Sequence, residues 1–317
     1  MAKRRTTVNI ELNEKSKSIS WENAIELFIS SMKIKGLSYN TRRWYKENLI
    51  AIVKVLKVLG LELDPVLITE SMVKEIVLKM VNSGLSSTTV NHRVRSIKQF
   101  YKFLVKEGYI SINPAEKLER KKSKTVKIQA FTEEQLIALL AVTDKSRFVG
   151  FRDYTMILFM LDTGVRVSEL VGIKLVDIRL KDGEVLITEG KGGKQRRVFV
   201  SSKTKEMLRK YLRTRGEITG NEHLFITSDN KPMKQRTVQE RLTIYGKMAK
   251  LTGVRVSPHT FRHTFAKMYI MRGGDPFSLQ ALLGHSTLEM VRHYVNLWGS
   301  DLQKMHRQFS PVDQLFR

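Results

Sequence analysis

The chain has 317 residues, 42% hydrophobic and 27% charged, with no cysteine and a formal charge of +25. Its length and apolar content provide for two folded domains. No run approaches the roughly 18 apolar residues of a membrane span, and the lack of cysteine excludes disulfides, thiolate zinc sites and cysteine nucleophiles. Fifty-six Lys and Arg face thirty-one Asp and Glu, which points to a polyanion partner. Residues 1–120 carry 21 basic and 12 acidic side chains and residues 121–317 carry 35 and 19, so both halves are basic, as two arms of a clamp around nucleic acid would be. The first fifteen residues, MAKRRTTVNIELNEK, have no apolar segment behind their basic ones. A secretory signal is therefore not expected, and a cytoplasmic location is.

Residues 18–115 read as helices throughout. The first runs from a cap at Ser20 to a stop at Gly36. The second is capped near Asn40 and ends at Gly60; the third is capped by Thr69 or Ser71 and ends at Gly84. In the fourth, Val90, Val94, Ile97, Tyr101 and Leu104 recur at helical spacing and form an apolar stripe. Asn91, Arg95, Lys98 and Lys102 form the opposite stripe, which in so basic a domain suits phosphate contacts. Pro114 stops that helix, and residues 116–130 read as a basic interdomain linker containing Arg120, Lys121, Lys122, Lys124 and Lys127.

The second domain spans residues 131–317. Thr132 with Gln135 is a capping-box pattern. An apolar helix follows and ends at Gly164. The stretch GEVLITEGKGGKQRRVFVS reads as a β-hairpin around a Gly-rich turn, and the rest returns to helix. The expected fold is mainly α: a helical N-terminal domain plus a mostly helical, mixed α/β second domain with one small antiparallel sheet.

Four stretches of this domain carry candidate chemistry. DTGVRVSEL places Arg166 between a helix stop and the next helix, with Ser168 a good cap and Glu169 suited to orient a cation. GKGGKQRR puts Lys191 at a glycine-flanked hairpin tip, followed by Lys194, Arg196 and Arg197. SPHTFRHTFA puts His259 and Arg262 on one face near a helix N-terminus, the end that favours anions. His263 lies four residues after His259, like half of a zinc motif. The glutamate of such a helix is missing, and Arg262 puts a cation on that face, so no metal is expected. LLGHSTLEMVRHY supplies His285 and, nine residues on, Tyr294. His293 neighbours Tyr294 and points about 100° away on a helix.

Taken together, two arginines, a lysine, two histidines and a tyrosine fit a phosphodiester transition state. Arginines hold its non-bridging oxygens, lysine or histidine moves protons, and a tyrosyl oxygen is a nucleophile. Fixed cations take the place of a metal, so neither metal nor cofactor is expected.

These motifs, in this order, resemble the tyrosine recombinase (phage integrase) family, with a layout similar to its Xer-type and transposon integrases, over about residues 20–310. The resemblance implies a helical core-binding domain and a catalytic domain, with Arg166 and Arg262 clamping the phosphate. It implies Lys191 as the hairpin general acid, His259 and His285 as supporting residues, Tyr294 as the nucleophile and Glu169 as acidic support. It further implies double-stranded DNA as partner, a 3′-phosphotyrosyl intermediate, and a tetramer on two duplexes. Arg42, Arg43, Arg93, Arg95 and Lys98 are the expected DNA contacts of the first domain, with Lys102, Lys122, Lys194 and Arg196 beside them. A type IB topoisomerase, a DNA-binding regulator and a metal-dependent nuclease are the competing readings.

Overall fold

The computed structural model describes residues 18–61, 63–122, 129–188, 195–216, 220–284 and 287–298, and the single residues 306, 312 and 315. The chain forms two compact units that divide between Val126 and Lys127.

The first unit holds α1 (Trp21–Ile34), α2 (Tyr39–Val58), α3 (Glu70–Asn82) and α4 (Ser87–Lys106), with a 3-10 turn at Pro65–Leu67. Each helix starts on a hydroxyl. Ser20, Ser38, Thr69 and Ser86 accept the backbone N–H of Asn23, Thr41, Met72 and Thr89, satisfying donors that a helix start leaves without partners. The cap of α2 is therefore Ser38. Asn40 falls inside the first turn, because the helix already begins at Tyr39.

The apolar faces meet in one core. Leu49, Ile52, Val73 and Phe100 are fully buried there, each contributing roughly 1.5–3 kcal/mol through removal from water. Helix α4 supplies the widest face, since Phe100 and Phe103 join the expected stripe. Trp21 stacks on Phe100 with ring centroids 5.4 Å apart. The segment after α4 is tied back to it. Ala115 is buried, Lys98 donates to the carbonyl of Leu118 at 3.2 Å, and Asn91 bonds both the carbonyl and the N–H of Lys121, at 2.9 and 2.8 Å. Residues 116–121, the start of the expected linker, thus follow the helical unit, and residues 123–128 lie outside the described residues.

The second unit runs α5 (Glu133–Ala141), α6 (Phe148–Thr163), α7 (Val167–Gly172), β1 (Ile178–Arg179), β2 (Glu184–Ile187), β3 (Arg196–Phe199), α8 (Ser202–Arg215), α9 (Gln235–Met248), α10 (Pro258–Met271), α11 (Pro276–Leu283) and α12 (Glu289–Trp298). The capping box is present: Thr132 and Gln135 exchange backbone-to-side-chain bonds at 3.0 and 3.2 Å. Helix α6 is buried on several sides, with Met156, Ile157, Phe159 and Met160 inside the core, and it packs against both α8 and α10. Strands β2 and β3 form the expected hairpin, with Ile187 opposite Arg196. The two-residue strand β1 adds to β2 antiparallel; it is too short to leave a periodic signal. Val185, Ile187 and Val198 face the core. Among the described residues, no helix is long and apolar enough to cross a membrane.

Because the helical core is separate, Leu49→Ala should cost about 2–5 kcal/mol within that unit. Hydrogen exchange should show faster amide exchange across α1–α4 with α5–α12 unchanged; acceleration spread over both units would contradict two independent cores.

Candidate active site

The site is assembled where α6 ends, α7 and α10 begin, and α11 ends. Gly164 closes α6 in the left-handed conformation at φ 61°, and a Cβ there would meet the Phe265 ring at 2.5 Å. That sharp exit aims the chain at Arg166, the residue preceding α7. Glu169, one turn on, accepts the backbone N–H of Arg166 at 2.8 Å and its guanidinium, also at 2.8 Å. A carboxylate from inside the helix thus satisfies the helix start. Ser168, expected as the cap, lies within α7.

Glu169 is 2% exposed and binds a second arginine. Arg196, at the start of β3, donates to both Glu169 oxygens at 2.8 and 2.7 Å, a bidentate pair. Burial alone would raise this carboxyl. The hydrogen bonds from Arg196 and from the Arg166 backbone, with the Arg196 charge, outweigh it and hold the carboxyl at about 2. The remaining nitrogen of Arg196 donates to the carbonyl of Leu282 at 2.8 Å. Arg196, expected at DNA, therefore has all three guanidinium nitrogens engaged inside the protein.

Arg262 works beside it. Its guanidinium donates to Gly164 O and to Leu283 O, both at 2.7 Å, and it is 5% exposed. Arg196 and Arg262 thus take two successive carbonyls at the end of α11, the negative end of its dipole. Gly284 follows at φ 64° with a Cβ position 2.9 Å from Arg196 Cδ, so only glycine fits there. Desolvation by burial and the neighbouring Arg166 charge lower the Arg262 guanidinium to about 10. Glu169 bonds the guanidiniums of Arg166 and Arg196, and the charge of Arg262 lies close by, an arrangement that favours an anion.

His259 stands in the first turn of α10, after the cap Ser257 and Pro258. Its side chain keeps an exposed face, yet partial desolvation and the charges of Arg262, Arg166 and Arg255 lower its imidazole below the usual range. His259 and Arg262 share a face, as their spacing requires.

Tyr294, on α12, is 1% exposed and belongs to an apolar cluster with Ala266, Ile270, Leu279, Leu283 and Val291. Burial raises its hydroxyl above the ordinary tyrosine range, opposed by Arg262 and Arg166. Its oxygen lies 2.8 Å from Nδ1 of His263, and the two rings meet edge-on with centroids 5.7 Å apart. His263 was visible in the sequence only as half of a metal motif. Its spacing of one helical turn from His259 was the available signal, and the meeting with a tyrosine 31 residues later was not. Among the described residues no metal-binding cluster occurs. Lys191, Lys194 and His285 lie outside the described residues, as does the side chain of His293.

In the helical unit the expected contacts differ in their surroundings. Arg43 pairs with Glu47 at 2.7 Å on the surface. Arg95 lies over the Trp44 ring at 5.9 Å. Arg42 is half-buried, with an Nε that has no hydrogen-bond partner among the described residues. Arg93 is half-buried, and Lys102 and Lys122 are exposed.

Residues 129–299 match the phage integrase family, and residues 25–108 match the N-terminal SAM-like domain of phage integrases. The chain belongs to the phage integrase family. It is 33% identical over 297 residues to the tyrosine recombinase XerC of Thermodesulfovibrio yellowstonii, covering 90% of this chain and 96% of that protein. It is 29% identical over 296 residues to the tyrosine recombinase XerD of Staphylococcus aureus, covering 92% and 99%. Its fold is shared by the Tn1549 transposon integrase solved with a circular intermediate DNA (TM-score 0.72, 21% identity, 90% of this chain and 99% of that one). A lambda integrase tetramer bound to a Holliday junction also shares it (TM-score 0.73, 18% identity, 90% and 80%). This integrase-family protein is an enzyme, a site-specific recombinase that cleaves and rejoins DNA.

Glu169→Gln removes the charge that two arginines share. It should destabilise the recombinase by about 3–5 kcal/mol at neutral pH. The carboxyl is depressed in the folded state from 4.5 to about 2, so its ionic contribution is full above pH 4.5 and is lost as pH falls through about 2. In acid unfolding followed by circular dichroism, the gap between wild type and variant should narrow by about 3 kcal/mol over that window. A gap independent of pH would contradict the assignment.

Proposed function

We propose that the Tyr294 hydroxyl attacks a DNA phosphate and forms a 3′-phosphotyrosyl link, freeing a 5′-hydroxyl. A 5′-hydroxyl from a partner duplex then attacks that link and exchanges strands. The phosphodiester energy is kept in the tyrosyl ester, so the exchange needs no ATP. The observation that carries this reading is the placing of one phenol against Leu283, whose carbonyl Arg262 bonds, so that the charges of Arg262 and of Arg166, held by Glu169, both reach it.

In this reading Arg166 and Arg262 hold the non-bridging oxygens, where negative charge builds in the transition state. Glu169 orients Arg166. Lys191 protonates the leaving 5′-oxygen, and His259 and His285 donate hydrogen bonds to the phosphate. His259 suits that role: partial burial and the charges of three arginines disfavour its protonation, and a neutral imidazole still donates one N–H. Fixed cations serve where other phosphoryl-transfer enzymes use a metal, so none is required.

The partner is double-stranded DNA. Arg42, Arg43, Arg93, Arg95, Lys98, Lys102, Lys122 and Lys194 are the proposed contacts, mostly to phosphate. Strand exchange takes place in a tetramer on two duplexes, as in the lambda integrase tetramer bound to a Holliday junction, and the site of action is the cytoplasm.

The Tyr294→Phe protein can first be used to select its binding site from random duplex DNA. A nicked suicide duplex carrying that site should then give an SDS-resistant protein–DNA adduct with wild type and none with Tyr294→Phe. An undiminished adduct in the variant, or specific binding by wild type with no adduct, would overturn the assignment.

A further inference from the structure

We propose that His263 is the proton acceptor for Tyr294. The proposal rests on the reading of Tyr294 as nucleophile and extends it to a residue outside the phosphate-binding set. A phenol is a weak nucleophile until its proton leaves, and burial makes that harder by penalising the phenolate. A base within hydrogen-bond reach is therefore required. His263 meets the requirement geometrically. Its Nδ1 is 2.8 Å from the Tyr294 oxygen, and the edge-on ring arrangement directs one ring nitrogen at the hydroxyl. The side chain is half-buried, on the same helix as Arg262 and one residue after it. The base, one phosphate clamp and the packing surface for α12 therefore share one rigid element.

His259 is the other histidine of α10 and is poorly suited to the task. Its partial burial and the charges of Arg262, Arg166 and Arg255 around it oppose its taking up a proton. The helix thus separates two histidines by role: His259 toward the phosphate, His263 toward the phenol.

The step balances. With Nε2 carrying the hydrogen, Nδ1 of His263 accepts the proton of Tyr294 as the tyrosyl oxygen bonds to phosphorus. The bond from phosphorus to the 5′-oxygen breaks, and that oxygen leaves with a proton from the general acid. In the return step the attacking 5′-hydroxyl gives its proton back to the deprotonated general acid as its oxygen bonds to phosphorus, the tyrosyl oxygen leaves, and His263 returns the proton to it.

The test is single-turnover cleavage of the nicked suicide duplex by full-length protein already bound to it. Wild type and Tyr294→Phe are run alongside, so failure of the nucleophile assignment appears as a wild-type protein without adduct, which removes this proposal too. His263→Asn keeps a hydrogen-bonding atom near the Nδ1 position but cannot take the proton. It should bind the site normally and cleave at least about 100-fold more slowly. Two rescues identify the lost function. A more acidic fluorotyrosine at position 294 needs less help to ionise and should recover about tenfold or more of the His263→Asn rate. A 5′-bridging phosphorothiolate, whose sulfur leaves without a proton, should recover a Lys191→Ala variant but not His263→Asn. Cleavage by His263→Asn at the wild-type rate or faster would overturn the proposal. So would recovery by the phosphorothiolate, or a deficit that neither change relieves.

Discussion

One buried carboxylate organises the catalytic unit. Glu169 is placed by the first turn of α7 and binds the backbone and guanidinium of Arg166, which lies beside it in sequence, and the guanidinium of Arg196, which comes from the sheet. Charge-assisted bonds at this degree of burial tolerate little displacement, because any partner that moves away leaves an ion without water. The hairpin, the start of α7 and the end of α11 are thereby locked into one frame. Arg196 reaches the α11 carbonyl of Leu282, and Arg262 takes the next one at Leu283.

The frame shows how an arginine can be fixed by backbone bonds and still act on a neighbouring group. A guanidinium has five N–H donors, and Arg262 directs Nη1 and Nη2 to backbone carbonyls while its charge still acts on Tyr294. In the proposed function the side chain is thus oriented before substrate arrives, and little reorganisation remains for the moment of reaction. Burial lowers the proton affinity of Arg262, and the neighbouring Arg166 charge lowers it further.

Features governed by near neighbours were legible in the sequence. The caps at Ser20, Thr69 and Thr132 and the stop at Gly164 act over three or four residues, and the chain announces them directly. Where two cap residues stood close together, spacing alone did not separate them, and Ser38 takes the role read for Asn40. Ser168 lost its expected role to Glu169, because a carboxylate three residues into the turn can reach back to the N–H. Arg166, Glu169, His259, Arg262 and Tyr294 were picked out by motif, and the structure brings them together. Arg196 was read as a DNA contact and the contact between His263 and Tyr294 was not foreseen, for a common reason: their partners lie 27 and 31 residues away in sequence. A basic residue after a glycine-rich turn reads as a surface contact until the fold supplies the carboxylate that buries it.

The central claim is that a single oxygen carries the DNA between strands. Its most direct test is mass spectrometry of the trapped wild-type adduct after digestion with protease and nuclease. The account predicts a peptide containing Tyr294 whose phenolic oxygen bears the 3′-phosphate of the cleaved strand. A nucleotide on any other side chain, or one joined to Tyr294 through a 5′-phosphate, would contradict it.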